Sequence, residues 1–183
     1  MRHIYLIAQY SRLEEMQAIA GDLVELGHTI ASTWILGEHQ TKDAEPTFEE
    51  AQAWCNFDIK DLERADTVIA FTEPKGTMSR GGRHTEFGYA LCWAQAGQAP
   101  PSGKPYTIHV VGHREHIFYC APEIIFWSSW EALREHLIRE ALRGPKAHAT
   151  ETTEGQNRDI IDLGKSADQQ QRGTPESTLP SGV

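Results

Sequence analysis

The chain has 183 residues, which suffice for one well-buried domain and are too few for two domains of typical size. Its net charge of -9 argues against a polyanion-binding surface, so we expect no polymeric nucleic acid among its partners. No apolar run approaches the roughly 18 residues of a membrane span, and the apolar N-terminal segment is too short for a signal sequence. We therefore expect a soluble protein that binds no membrane.

Strand-like and helix-like segments alternate along the first 143 residues. Short apolar runs predict buried strands, and apolar residues at every third or fourth position predict amphipathic helices. In chain order, the predicted elements are a strand over 4–8, a helix over 12–26, a strand over 28–34, a helix over 47–64, a strand over 67–72, a helix ending near 96, strands over 106–112 and 122–127, and a helix over 128–143. This alternation predicts an α/β domain with a parallel sheet.

The segments between these elements differ in composition. Residues 36–45 are polar and predict a long loop over the site, and residues 98–104 are rich in proline and glycine and predict an exposed connection. Residues 144–183 are rich in small polar and charged residues, which predicts a disordered tail. We therefore expect a catalytic domain over 1–143 and a C-terminal tail over 144–183.

The three cysteines, Cys55, Cys92 and Cys120, indicate the redox setting. They are odd in number, have no CxxC spacing and fall inside apolar patterns. This is typical of reduced thiols in a protein core rather than of disulfides. We therefore expect a cytoplasmic protein.

The most informative segment is a glycine-rich loop that follows the strand over 67–72. Ligands of open α/β sheets bind at the carboxyl ends of strands, and this loop leaves such an end. Gly81 and Gly82 permit close backbone approach, and Arg83 adds positive charge. Glu86 follows in what we predict to be the first turn of a helix, where the helix dipole favours an ionised carboxylate suited to be a nucleophile.

Three patches of the chain, in this order and spacing, resemble the nucleoside 2-deoxyribosyltransferase family, including relatives that hydrolyse the N-glycosidic bonds of nucleotides. They are the first-strand segment with Tyr5, the segment 56–62 with Asp58, and the segment 85–91 with Glu86. The resemblance covers about residues 3–142. It implies a flavodoxin-like five-stranded parallel sheet with helices on both faces, no metal or other cofactor, and a homodimer or larger homo-oligomer.

The resemblance also implies a division of roles. Glu86 would attack C1′ of the deoxyribose and form a glycosyl ester that a second base, or water, resolves. A carboxylate suits this step because it stabilises and then captures an oxocarbenium-like centre. Asp58 would bind the base or exchange a proton with it, and the Tyr5 hydroxyl would orient Glu86. The small-molecule partners would be a nucleoside or nucleotide and a free nucleobase.

One position departs from the family pattern. Transferases of the family commonly carry an aspartate six residues before the nucleophile, where this chain has Arg80. With Arg83 and Ser79, Arg80 would bind a 5′-phosphate through charge-assisted hydrogen bonds, which shifts the expected substrate toward a nucleotide. Further predicted substrate-binding residues are Gly82 in this loop, the first-loop residues Gln9, Ser11 and Arg12, and Trp34 as a base contact.

Other interpretations of the same residues stay open. Glu86 could only stabilise a helix dipole, and Asp58 lies in a charged stretch typical of a solvated helix face. The same crevice could belong to a non-catalytic nucleotide-sensing module, or to an N-ribosidase that acts on NAD or a modified ribonucleotide. His109, His113 and His116 lack a standard ligand spacing, so we expect no metal site there. Residues 114–119 are the segment through which a neighbouring subunit would complete the site.

Overall fold

The protein is described by a computed structural model over residues 1–37, 46–74, 76–77, 81–97 and 106–143. Five parallel strands form one sheet in the order β2-β1-β3-β4-β5. The strands are β1 His3–Ile7, β2 Thr29–Ile30, β3 Thr67–Phe71, β4 Thr107–Val111 and β5 Ile124–Trp127. This is the flavodoxin-like order, so the predicted fold class is confirmed.

Four helices cover the sheet: α1 Leu13–Glu25, α2 Phe48–Arg64, α3 Gly82–Ala96 and α4 Trp130–Arg143. α1 and α4 lie together, since the Trp130 indole N–H donates to Asp22 at 3.2 Å and Arg134 forms an ion pair with Asp22 at 3.4 Å. α2 and α3 contact each other and β1. α2 begins where the sequence predicts, at a capping box in which Thr47 and Glu50 each bind the other's backbone N–H.

β2 is much shorter than the predicted strand over 28–34. Beyond Ile30 the chain turns into a 3-10 helix over Thr33–Leu36, and two side chains replace the strand's backbone bonds to β1. Ser32 Oγ accepts from the Leu6 N–H at 2.5 Å, and the Trp34 indole N–H donates to the Leu6 carbonyl at 2.8 Å. Edge pairing therefore continues through side chains, which strand periodicity does not anticipate.

The core lies on both faces of the central strands β1, β3 and β4. Every residue of β3 is buried, as are four of the five residues in β1 and in β4. This is the reason why these strands read as continuous apolar runs. Within the described residues, no helix is long and apolar enough to cross a membrane.

The cysteine prediction is half right. Cys55, Cys92 and Cys120 carry free thiols, but all three are exposed, so their placement in the core was wrong. Cys55 and Cys92 lie on outward positions of α2 and α3, where neighbouring residues of the apolar stripe face the sheet instead.

Several predicted segments lie outside the described residues. They are the predicted tail over 144–183, most of the predicted loop over 36–45 and the connection over 98–104, and the loop residues Ser79 and Arg80.

Candidate active site

Tyr5, Asp58 and Glu86 come together where α2 and α3 pack over β1. Tyr5 lies in the middle of β1 and is 0% exposed, while Asp58 and Glu86 are partly exposed residues of the two helices. In the described part of the chain, no atom makes a fully formed hydrogen bond with the Tyr5 hydroxyl. The carboxyl groups of Asp58 and Glu86 are nevertheless close enough to this hydroxyl for it to favour their ionised forms, an effect that opposes the larger effect of burial. The structure thus gathers a buried phenol and two partly buried carboxyl groups in one polar cluster.

The carboxyl groups of Asp58 and Glu86 both have raised pKa values. Burial, and then the negative charge of Asp58, raises the pKa of Glu86 to about 8. Burial, and then the charge of Asp61, raises the pKa of Asp58 to about 6. Burial and the same carboxylates also raise the pKa of Tyr5 well above its usual value. Near neutral pH the pair therefore holds about one proton, which the higher pKa of Glu86 places mainly on Glu86.

The predicted setting of Glu86 was wrong in one respect. α3 begins at Gly82, so Glu86 lies in the second helical turn, and the first turn of α3 holds no acidic residue. The helix dipole acts within the first turn only, and burial dominates the titration of Glu86. The sequence predicted an anion stabilised by the helix dipole. In the structure, burial instead favours the protonated form of Glu86.

The glycine pair before Glu86 serves two purposes. Gly81 has a φ of 88°, which side-chain-bearing residues rarely adopt, and its carbonyl accepts from the His84 and Thr85 N–H groups at 3.0 and 3.1 Å. A Cβ atom at Gly82 would meet nothing within 4 Å, so packing against described residues does not require glycine there. The open face at Gly82 leaves room for a ligand to approach the start of α3.

The two described arginines of the predicted phosphate site are bound to carboxylates. Arg83 is 8% exposed and donates both Nη atoms to Glu115, at 2.5 and 3.1 Å. Arg12 donates to Glu15 at 2.6 and 2.7 Å and to Glu73 at 3.2 Å. These ion pairs neutralise both guanidinium charges and connect the loops at the carboxyl ends of the strands. The buried Nε of Arg83 makes no hydrogen bond with a described residue.

The other residues that were predicted to bind substrate lie at several places in the chain. Gln9 and the exposed Ser11 follow β1 at its carboxyl end, and the Gln9 carbonyl accepts from the Arg12 N–H at 2.9 Å. Trp34 is buried, and its only polar atom binds Leu6, which gives its ring a packing role. Ser79 and Arg80 lie outside the described residues.

A cleft of about 420 Å³ opens at the carboxyl ends of β3 and β4, and its lining includes none of Tyr5, Asp58 and Glu86. It is lined by Glu73, Pro74, Gly76, Thr77, Arg83, His84, His113, Glu115 and His116. Burial lowers the pKa of His84 and of His116, which favours neutral imidazoles at pH 7. The described portion of the chain contains no group of three His, Cys, Asp or Glu residues arranged to hold a metal ion.

Sequence reasoning missed Glu73, Glu115 and Asp61. Asp61 is buried and accepts from Thr33, yet its helix is so rich in charge that it resembles a solvated surface position. The available signal for Asp61 was its spacing of three residues from Asp58, which places both on one helix face. Glu115 and Glu73 each follow a predicted strand, and this position at the ligand-binding edge of the sheet could have identified them.

Two solved structures are similar to this chain over most of its length. One is a 2-deoxyribosyltransferase from the psychrotolerant bacterium Bacillus psychrosaccharolyticus, with 14% identity, a TM-score of 0.53, and coverage of 72% of this chain and 90% of that one. The other is the CMP N-glycosidase BcmB of Clostridium botulinum, with 16% identity, a TM-score of 0.42, and coverage of 74% and 97%. No family model and no curated protein sequence matches the chain. The first likeness shows that the chain has the fold of a 2-deoxyribosyltransferase.

Proposed function

We propose that this protein cleaves the N-glycosidic bond of a 2′-deoxyribonucleoside or its 5′-monophosphate through a covalent glycosyl ester on Glu86. One observation carries the proposal: two carboxyl groups from separate helices meet at the Tyr5 hydroxyl and hold about one proton between them near neutral pH. Glycosyl transfer with retention needs one carboxylate as nucleophile and one carboxyl group as acid. The fold shared with a 2-deoxyribosyltransferase supports the same assignment.

In the first half-reaction, a Glu86 carboxylate oxygen attacks C1′ from the face opposite the base. The bond between C1′ and the base nitrogen breaks, and its electron pair leaves with the base. In the free protein the higher pKa of Glu86 places the pair's proton mainly on Glu86, so the step requires that proton to pass to Asp58. Asp58 then gives it to the base, because an unprotonated base anion is a poor leaving group. The Tyr5 hydroxyl orients Glu86 and stabilises its ionised form, because it lowers the Glu86 pKa.

In the second half-reaction, the ester is resolved at the same carbon. A nitrogen of a second base, or the oxygen of water, attacks C1′ and releases the Glu86 carboxylate, while the Asp58 carboxylate accepts the proton of the attacking group. Attack from the face that the first base left gives overall retention at C1′. Transfer and hydrolysis therefore share every residue proposed here and differ in which acceptor reaches the ester.

Between nucleoside and monophosphate, the ion pairs support the nucleoside. Both Nη atoms of Arg83 donate to Glu115, and Arg12 donates to Glu15 and Glu73, so a phosphate group would compete with these carboxylates for each guanidinium. Displacing a partly buried ion pair leaves an unpaired charge, which costs several kcal/mol. A preference for the nucleoside is opposite to the sequence analysis, which favoured a nucleotide substrate.

The test is product analysis by liquid chromatography. Purified protein is incubated with each deoxynucleoside and each 5′-monophosphate, with and without a second free base, beside Glu86→Ala. Free base without an acceptor identifies a hydrolase, and a new nucleoside only with an acceptor identifies a transferase. Ligand binding without any turnover identifies a sensing module, and release of base only from ribosidic substrates identifies an N-ribosidase; either result rejects the proposal.

A further inference from the structure

The side chains of His84 and His116 meet where a polar cleft and an apolar groove adjoin. Both line the cleft of about 420 Å³ at the carboxyl ends of β3 and β4. Both also line a groove of about 550 Å³ between α3 and the 3-10 helix over Ile117–Cys120. Their rings stand edge to face, with centroids 5.1 Å apart and planes at 69°. Two imidazoles from separate segments therefore stand at the boundary between the two cavities.

The His116 ring is the centre of a set of aromatic contacts. It stacks on Tyr119 with centroids 4.1 Å apart and an interplanar angle of 19°. Phe87 of α3 packs edge-on against both rings, at 6.1 Å from His116 and 4.5 Å from Tyr119. The Tyr119 N–H also donates to the His116 carbonyl at 3.1 Å. These contacts hold the segment 116–120 against α3.

The contact between the two imidazoles offers little to stabilise an added proton. The Nδ1 atoms of both rings are buried and make no hydrogen bond with a described residue. The nearby carboxylate of Glu115 is already paired with Arg83 at 2.5 Å. In the described part of the chain, the other titratable groups around the pair are Arg83 on α3, His113 and Glu115 after β4, Glu73 after β3 and Tyr119 in the 3-10 helix. Protonation would therefore place positive charge in a partly buried contact beside a guanidinium.

We propose that His84 and His116 form an acid-sensitive latch, whose protonation releases the segment 116–120 from α3 and joins the polar cleft to the apolar groove. Burial is the largest cause that lowers the pKa of both imidazoles from the ordinary value of 6.5. The closed latch therefore binds protons more weakly than the open one. Its stability is fully present at pH values above 6.5 and is lost as the pH falls below that value. The latch is independent of the reaction proposed above.

The direct test is amide hydrogen exchange in the full-length protein at about pH 7.5 and about pH 5, expressed as protection factors to remove the intrinsic pH dependence of exchange. The Tyr119 N–H reports the latch through its bond to His116, and the Ile69 N–H in β3 reports global unfolding. On acidification, the Tyr119 protection factor should fall about tenfold, and that of Ile69 should change much less.

Three variants separate the latch from other effects of acid. His116→Phe keeps a ring in the aromatic contacts, His84→Gln removes the facing imidazole, and neither new side chain titrates. Each should reduce the fall at Tyr119, and the double variant should abolish it. His113→Gln is the matched control, because His113 lines the same cleft but lies beside Thr72 Oγ1 at 3.4 Å; it should keep the full fall.

An unchanged Tyr119 protection factor in the parent protein overturns the proposal, and so does an equal fall at Ile69 or a fall that persists in the double variant. If the double variant does not fold, His84→Gln carries the test, since His84 is partly exposed. NMR titration gives an independent measurement. His116→Phe should raise the titration midpoint of His84, because it removes a neighbouring group that becomes positively charged.

Discussion

At the scale of single residues, the proposed function depends on two partly buried acids and one buried phenol. The Tyr5 hydroxyl has no fully formed hydrogen bond among the described residues, which is costly for a buried polar group unless a ligand or proton uses it. The carboxyl groups of Asp58 and Glu86 are the groups that Tyr5 influences. Functional sites are where such arrangements persist against their cost in stability.

Tyr5→Phe tests the role of the hydroxyl. The hydroxyl keeps the Glu86 pKa lower than burial alone would, so in Tyr5→Phe less of the nucleophile is ionised and kcat should fall about 100-fold at pH 7. The falling activity on the acid side of the pH profile should move to higher pH. Thermal unfolding should change little, because no fully formed hydrogen bond is lost. A large loss of stability with normal kcat per folded molecule would instead give Tyr5 a packing role.

Glu86→Gln tests the electrostatic cost of the site. The folded protein raises the Glu86 pKa from 4.5 to about 8, so between those pH values it binds more protons than the unfolded chain and loses stability as pH rises. The neutral amide does not titrate, so Glu86→Gln should be more stable than the parent at pH 8, by about 4 kcal/mol, and the gain should shrink toward pH 4.5. Chemical denaturation at the two pH values measures this. An equal effect at both would contradict the raised pKa.

At the scale of elements, the loops at the carboxyl ends of the strands are joined by charge. Glu115, after β4, binds Arg83 of α3 and accepts from the Glu73 N–H after β3 at 2.5 Å. Glu73 in turn binds Arg12, after β1. This chain of contacts ties three strand ends together beside the cleft and pairs both arginines with carboxylates.

Glu115→Gln tests whether that pairing sets substrate choice. The amide retains an acceptor for the Glu73 N–H but releases the Arg83 charge, so kcat/KM for the 5′-monophosphate should rise relative to the nucleoside about tenfold. The variant should also lose stability, because Arg83 is left buried without its carboxylate. Glu135→Gln, at an exposed position of α4, is the matched control. An unaltered ratio in Glu115→Gln would remove Arg83 from substrate selection.

The sequence predicts elements better than it predicts contacts between them. The capping box at Thr47 and the apolar runs of β1 and β3 are local signals, and the structure follows them. The pairing of Arg83 with Glu115 joins residues 32 positions apart and has no local signature. The side chains that replace the end of β2, and the burial of Asp61 in a charged helix, run against the usual patterns and need the tertiary structure to be seen.

The candidate site, too, was predictable from the sequence in its residues but not in its contacts. The resemblance placed Tyr5, Asp58 and Glu86 in one site, and the structure brings the three together; their catalytic roles stay predictions. Sequence reasoning could not supply the proton balance of the pair, because burial is the largest cause of both raised pKa values. Burial depends on how α2 and α3 pack over β1, which no short motif encodes.

At the scale of the whole molecule, an apolar face lies beside the cleft. Ile117 is 80% exposed and Phe118 is 63% exposed, and both line a groove whose other wall is α3 with Phe87 and Leu91. Large exposed apolar side chains placed together are typical of interfaces between subunits. The face falls in the segment 114–119 that the sequence analysis assigned to a neighbouring subunit.

We therefore predict that the protein self-associates through this face. Combined Ile117→Asp and Phe118→Asp substitutions should shift the protein to a smaller species in size-exclusion chromatography with light scattering, because they place charge in an apolar contact. Leu142→Asp is the matched control, since Leu142 is 83% exposed at the end of α4. A parent protein that is already monomeric, or an equal shift in the control, would contradict this prediction.

The central claim is a covalent ester on Glu86, and trapping that ester tests it most directly. The full-length protein is mixed with a 2′-deoxyribonucleoside, quenched in acid at short times, and measured by intact mass spectrometry followed by peptide mapping. The account predicts a gain of one deoxyribosyl unit located on Glu86 and absent from Glu86→Gln. Base release that persists in Glu86→Gln, or an adduct on another residue, would contradict it.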